Sequence, residues 1–173
     1  MKARQFWKTV VRDQTDLLDR FLTLIGERGI RYCVIGGQAV NAYAEPVVSL
    51  DLDLVVAADE VAGLEEAMAG EFTVRRFPHS INVSAAYSDL RIQIQTDVRY
   101  GVFLDRVREL EVLGMVLPVA SAEDVLQGKI WAAQDPERRP SKRQKDLADI
   151  ARLLEAQPVL RERVPEEILD RLV

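Results

Sequence analysis

A single cysteine, Cys33, is the only thiol in this chain of 173 residues, which excludes a disulfide framework and any CxxC metal site. Cys33 lies inside an apolar run and is read as a buried small hydrophobe rather than a reactive thiol. The single histidine, His79, falls in a turn with nothing nearby to orient it, so it is read as an exposed turn residue rather than a general base. Net positive charge is also lacking. A formal charge of −5 and a pI near 5.0 leave no global basic field to hold a long nucleic acid, so any polyanion must be met by a local patch. No apolar run approaches the length of a membrane span, and the opening stretch MKARQFWKTVV lacks the apolar core of a signal peptide. The expectation is a cytoplasmic protein with no membrane partner. There is no internal repeat and no low-complexity linker.

What is present is apolar content for one substantial core, 48% of the residues against 29% charged. The expected organisation is one compact domain, with residues 1–120 as the core sheet and helices and 121–173 as a helical portion packed on it. Chemistry concentrates in Arg31 to Ala58, RYCVIGGQAVNAYAEPVVSLDLDLVVAA. Tyr32 to Ile35 is a short apolar strand ending at Gly36-Gly37, a pair that lets the backbone approach a ligand closely and adopt positive φ. Gln38 to Ala44 suits a helix, whose first N–H groups point back over the turn and form a site for phosphate. The next strand delivers Ser49, Asp51 and Asp53 on one face and Leu50, Leu52 and Leu54 on the other, by its period of two. Two carboxylates on one strand face are hard oxygen ligands of the kind Mg²⁺ takes, with substrate phosphates completing its shell.

Two small residues, thirteen intervening positions (38 to 50) and Asp-apolar-Asp-apolar resemble the signature of the nucleotidyltransferase superfamily with the DNA polymerase β type fold. The Ser49-x-Asp51-x-Asp53 form, with Lys145-Asp146-Leu147 further on, looks most like the bacterial AbiEii-type nucleotidyltransferases of phage-defence and toxin–antitoxin systems. The resemblance spans roughly residues 20 to 155. It implies an α+β fold, a mixed twisted β-sheet flanked by helices and followed by C-terminal helices. It also implies a bound NTP, Mg²⁺ or Mn²⁺ on Asp51 and Asp53, and transfer of a nucleoside monophosphate to a hydroxyl of RNA, protein or a small molecule. A cognate toxin or antitoxin protein is an implied partner.

Around this stretch, Leu17, Leu18, Phe21, Leu24 and Ile25 recur at helical spacing as a packing helix. Asp59 to Ala69 reads as a short helix ended by Gly70. Phe72 to Phe77, Ile81 to Tyr87 and Leu90 to Val98 read as antiparallel neighbours that extend the sheet. The third of these departs from the family pattern, in which such a strand supplies a third carboxylate. Here Gln93 and Gln95 occupy the polar face, and an amide offers neither a charged ligand nor a base at neutral pH. Asp97 shares that face but lies two residues, about 7 Å, beyond Gln95. It is either a substitute acid or a turn-initiating Asp. Residues 102 to 120 read as a short amphipathic segment and a strand pair around Gly114.

Ser121 is an N-cap for a helix over Ala122 to Gln134. Helical projection puts Lys129 inside the apolar arc of that helix and Asp124 opposite it. A lysine there either snorkels or reaches an anionic phosphate, and AbiEii-type proteins carry a lysine in the corresponding helix. Five positive charges between Arg138 and Lys145 make a local anion patch, with Ser141 and Gln144 as a capping box for a helix from Lys142 to Glu155. This nominates Arg143 for nucleotide binding. The projection puts Asp146 and Arg143 on or beside the buried stripe, and Lys145, Asp149 and Arg152 away from it. Asp146 matches the family's Lys-Asp-Leu motif, which makes it an alternative third acid. The competing expectations are a nucleotide-binding, antitoxin-like protein impaired in catalysis by the missing carboxylate, and an RNA-binding module acting through the Arg138 to Lys145 patch.

Overall fold

Strands alternate with helices from Tyr32 to Phe77 and follow one another in runs after that, and the computed structural model, which describes residues 3–172, folds them into one mixed sheet with helices against it. Met1 and Lys2 of the opening stretch and Val173 lie outside the described residues. The elements are α1 (Ala3–Val10), α2 (Leu17–Glu27), β1 (Tyr32–Ile35), α3 (Gly36–Tyr43), β2 (Asp51–Val56), α4 (Val61–Met68), β3 (Thr73–Phe77), β4 (Ser80–Ser84) and β5 (Arg91–Gln95). A 3₁₀ segment (Val98–Arg106) leads to β6 (Arg108–Val112), β7 (Met115–Val119), α5 (Ala122–Gln134), α6 (Pro140–Ala156), a second 3₁₀ segment (Pro158–Arg163) and α7 (Glu166–Leu169). Among the described residues no helix is long and apolar enough to cross a membrane.

The sheet order is β3-β4-β5-β2-β1-β7-β6. β1 is antiparallel to β2 and parallel to β7, and β2 is parallel to β5. The expected antiparallel neighbours are β3, β4 and β5. The two central strands carry the most apolar sequence. Leu52, Leu54, Cys33 and Val34 are fully buried, as strands covered on both faces require. Leu50 departs from its expected place with Leu52 and Leu54: it lies ahead of the strand and is exposed.

Gly36 starts α3 directly at the end of β1, at φ 67°. The helix therefore begins two residues earlier than the run of good helix formers suggests. Ser121 caps α5 as expected, its hydroxyl accepting from the Asp124 N–H at 3.2 Å. The capping box expected on the last main helix does not form. α6 begins at Pro140 with Arg139 at its N-cap and no side-chain cap bond, because a proline in the first turn needs no N–H partner and its φ already suits the helix.

Candidate active site

β2 and β5 run side by side in parallel, so their residues pair across the sheet: Asp51 with Arg91, and Asp53 with Gln93. Above them the start of α3 comes so close that a Cβ on Gly36 would lie 2.2 Å from Asp53 Oδ2. Only glycine leaves that carboxylate its place. At Gly37 a Cβ would meet Ser49 Oγ at 3.6 Å, an ordinary contact. Ser49 is held from both sides, its carbonyl accepting from Trp7 Nε1 at 3.1 Å and Gln38 Nε2 at 3.2 Å. Its hydroxyl accepts from the Asp51 N–H at 3.4 Å. α1, which sequence periodicity did not single out, thus steadies the loop before the first aspartate.

A cavity of about 180 Å³ opens over this corner of the sheet. Gly36, Gly37, Ser49, Asp51 and Asp53 form one wall, and Gln93 with Gln95 continues it along β5. The facing wall comes from α5 and the start of α6, and contributes Lys129, Arg138, Lys142, Lys145 and Asp146. An apolar end is made by Tyr100 and Phe103, which pack edge to face with ring centroids 5.2 Å apart. Gly128 makes room for them, since a Cβ there would lie 3.2 Å from Tyr100 Cε1.

The two aspartates have different surroundings. Asp51 is paired, with Arg91 Nε at 2.9 Å from Oδ1 and Lys142 Nζ at 3.8 Å from Oδ2. No described side chain donates a hydrogen bond or forms an ion pair within 4 Å of Asp53. Burial pushes the Asp53 carboxyl up to about 6, against the pull of Lys129 and with the push of Asp51. Two partly buried carboxylates, one paired and the other with no described cation within 4 Å, fit a hard divalent cation such as Mg²⁺ or Mn²⁺. Among the described residues no group of three or more His, Cys, Asp or Glu side chains could hold a metal ion by itself. The protein would therefore offer two carboxylates, and leave the other positions to substrate oxygens and water.

The third acid expected from β5 is absent, and Gln93 stands directly across from Asp53. Asp97 does not take its place. It caps the 3₁₀ segment by accepting from the Arg99 N–H at 3.0 Å, holds the Arg99 guanidinium, and does not line the cavity. The hydrogen bond from the Arg99 side chain lowers its pKa below the usual carboxylate range, as suits a turn-capping Asp. Gln95 is fixed as well: its side-chain carbonyl accepts from the N–H groups of Thr96 and Asp97, both at 3.1 Å.

Lys129 lies where the arc placed it, 8% exposed and lining the cavity. Its Nζ contacts Asp146 Oδ1 at 3.0 Å and Asp149 Oδ2 at 2.7 Å. Burial opposes its charge, but the two acids outweigh burial and leave its pKa raised. Asp146 reaches the cavity as expected, but with both oxygens engaged, by Lys129 and by Arg138 Nε at 2.8 Å.

Three placements differ from the sequence expectation. Asp149 is 3% exposed and Arg152 lies across it, because the buried face of α6 includes a charged strip against α5 that an apolar-only projection leaves out. Asp124, projected opposite the apolar arc, is 5% exposed and held by Arg106 at 2.7 Å. Arg143 turns away from the cavity, and its guanidinium donates to the carbonyls of Ala133 at 3.1 Å and Asp135 at 2.8 Å, fastening the end of α5. The arginine that does reach the acidic pair, Arg91, gave no local signal. Its signal is its cross-strand position opposite Asp51, which needs the register.

Comparison with known proteins gives the family and the fold. The family described as "Nucleotidyl transferase AbiEii toxin, Type IV TA system" matches over residues 33–173. No curated protein matches. Among solved structures, the antibiotic-resistance factor ANT(2'')-Ia is similar with a TM-score of 0.58 at 16% identity, over 87% of this chain and 92% of that one. A crystal structure of the same factor, in complex with adenylyl-2''-tobramycin, aligns at a TM-score of 0.59. The lincosamide antibiotic adenylyltransferase LnuA, lincomycin-bound, aligns at 0.50 with 12% identity, over 79% of this chain and 95% of that one. An antigenic nucleotidyltransferase-like protein from Paracoccidioides brasiliensis aligns at 0.50 with 16% identity, over 86% and 75%. At these identities the likeness shows a nucleotidyltransferase fold.

Proposed function

Because the chain belongs to the AbiEii nucleotidyl transferase family, we propose that it moves a nucleoside monophosphate from an NTP to a hydroxyl acceptor, with Mg²⁺ or Mn²⁺ on Asp51 and Asp53. One observation carries this reading: the acidic pair, the glycine start of α3 and a wall of basic side chains face one cavity. A divalent cation there would supply Lewis-acid neutralisation of the phosphates and of the developing charge on the oxygens. The chain's own groups do the holding. The N–H groups at the start of α3 point towards bound phosphate, Ser49 lies beside the first aspartate, and Lys129, Lys142 and Lys145 neutralise anionic oxygens from the opposite side. Arg91 and Lys142 hold Asp51 in this structure, and would be free to meet phosphate oxygens were that carboxylate engaged by a cation. Residues 1–120 form the catalytic core on this reading, and 121–173 supply the basic wall.

The acceptor is an RNA, a protein side-chain hydroxyl or a small molecule, and the setting is a cytoplasmic toxin–antitoxin or phage-defence system with a cognate partner protein. A second reading is favoured by Gln93 standing across from Asp53. On that reading the protein binds nucleotide and a single cation but transfers poorly, as an antitoxin-like member of the fold. Binding is common to both readings and is tested first. An NTP with Mg²⁺ at about a hundred times its Kd should stabilise the fold by about 2.7 kcal/mol, and the Asp51→Asn, Asp53→Asn double variant should lose that gain. Absence of a melting shift with every one of the four NTPs at millimolar concentration would contradict both readings.

A further inference from the structure

Five ionised side chains meet where α5 packs on α6, and their pairing is uneven. Asp146 and Asp149 are 1% and 3% exposed, and Lys129 touches both. Each acid also has a guanidinium of its own. Arg138 Nε lies 2.8 Å from Asp146 Oδ2, and Arg152 Nη1 lies 2.8 Å from Asp149 Oδ1. Two carboxylates thus hold three cations, and the shared one, Lys129, lines the cavity near enough to Asp53 to lower its pKa.

Removing the sole cation from a buried carboxylate is strongly destabilising. Without the two arginines, Lys129 would be tied to the acids and poorly available to a ligand. We propose that Arg138 and Arg152 are positioning residues: they keep Asp146 and Asp149 neutralised, so that the Lys129 ammonium is free to turn from the acids to a phosphate oxygen. The proposal rests on the nucleotide-binding reading above and adds what makes that lysine available. The contacts agree with it. Asp149 Oδ2 lies 2.7 Å from Lys129 Nζ, yet accepts no aligned hydrogen bond from a described group, whereas Arg152 donates a hydrogen bond to Oδ1 of the same carboxylate. Arg152 thus holds one oxygen of Asp149 while Lys129 sits against the other. Arg152 also braces a loop, since its Nη2 donates to Asn41 Oδ1 at 2.7 Å and to the Glu45 carbonyl. The Asn41 side chain in turn pairs with both backbone groups of Val47, at 2.7 and 3.0 Å. These contacts fix the loop that leads to Ser49, and the test must separate them from charge.

The experiment is calorimetric titration of the whole chain with the Mg²⁺ complexes of the four NTPs. Arg152→Gln should weaken binding about tenfold, within the range of coupling between contacting charged groups. Adding Asp149→Asn should bring the affinity back to within about threefold of the parent, since the acid that captures Lys129 is gone. Arg152→Lys keeps the charge while losing the two-point grip on the loop, and should bind close to the parent. A purely structural arginine predicts the reverse, a double variant no better than the single and a lysine as poor as the glutamine, and that result would overturn the proposal. Arg138→Gln with and without Asp146→Asn repeats the test at an arginine whose side chain is more exposed, 34% against 17%, and bonds to no loop among the described residues, in case Arg152→Gln does not fold. Lys129→Met separates the two levels. If it binds NTP like the parent, the phosphate reading of Lys129 fails. If it binds weakly while both arginine variants bind like the parent, the positioning proposal alone falls.

Discussion

Gly36 and Gly37 are adjacent, chemically identical and both at the start of α3, yet alanine at the two positions should have opposite effects. At Gly36 the backbone has φ 67°, where an L side chain costs about 1–2 kcal/mol. The new Cβ would also fall 2.2 Å from Asp53 Oδ2 and 2.9 Å from its Cβ and Cγ. No atom pair tolerates that, and since rotation of the side chain leaves the Asp53 Cβ in place, backbone and carboxyl must both give, at a further cost of at least about 1 kcal/mol. The sum, at least about 2–3 kcal/mol, corresponds to a loss of roughly 5–10 °C or more in Tm for a chain of this size. Asp53 is one of the two candidate cation ligands, so Mg²⁺-dependent NTP binding should fall with it. At Gly37 the Cβ meets Ser49 Oγ at 3.6 Å, ordinary contact at unstrained φ. Inside a helix the exchange of glycine for alanine favours folding by about 0.5–1 kcal/mol. Thermal unfolding of both variants, followed by titration with Mg²⁺ and NTP, reads the two effects. A Gly36→Ala protein that melts and binds like the parent would show that neither the strain nor the clash is real, and a Gly37→Ala protein damaged to the same degree would show that the two sites do not differ.

Asp53 should make stability and cation binding depend on pH near 6. Its folded-state pKa of about 6 lies above the ordinary carboxylate value of 3.8, so the folded state binds the proton more tightly, and the penalty on folding builds as pH rises from about 4 to 6 and is complete above 6. Asp53→Asn should therefore raise Tm at pH 8, by the equivalent of roughly 3 kcal/mol at most, with the gain shrinking through pH 6 and gone near pH 4. A gain independent of pH would show that burial of charge is not its source. Parent affinity for Mg²⁺ should also fall as pH drops below 6, since the proton competes for the same oxygens. Arg143→Ala should cost about 1–2 kcal/mol of stability by freeing the carbonyls of Ala133 and Asp135, while NTP affinity stays unchanged. A loss of affinity without loss of stability would return Arg143 to the nucleotide site.

The core of the site was legible because its signals are local. A glycine pair after an apolar strand, acids at alternate positions, and a serine cap ahead of α5 all act within a few residues, and β1, β2 and α5 fall close to where those signals put them. Strand parity put Gln93 on the polar face, the family resemblance marked it as the missing acid, and the register sets it across from Asp53. What escaped depends on elements far apart in sequence. Asp149 looked solvated because its partners are Lys129 on another helix and Arg152, and apolar periodicity does not record buried ion pairs. Asp97 was expected on the face of Gln93 and Gln95, but the strand ends at Gln95 and a capping bond to the Arg99 N–H sets its direction. Arg91 became visible only once β5 was set beside β2.

Transfer of a nucleoside monophosphate to an acceptor is read by incubation with NTPs labelled at the α-phosphate. The parent protein, supplied with Mg²⁺ or Mn²⁺ and with total RNA, cell protein and small hydroxylated metabolites in turn, should label one acceptor class with release of pyrophosphate. Asp51→Asn should abolish that label. Tight, cation-dependent NTP binding with no label in any acceptor from any of the four nucleotides would contradict the proposed transfer, and leave Gln93 as the mark of a protein that binds nucleotide without passing it on.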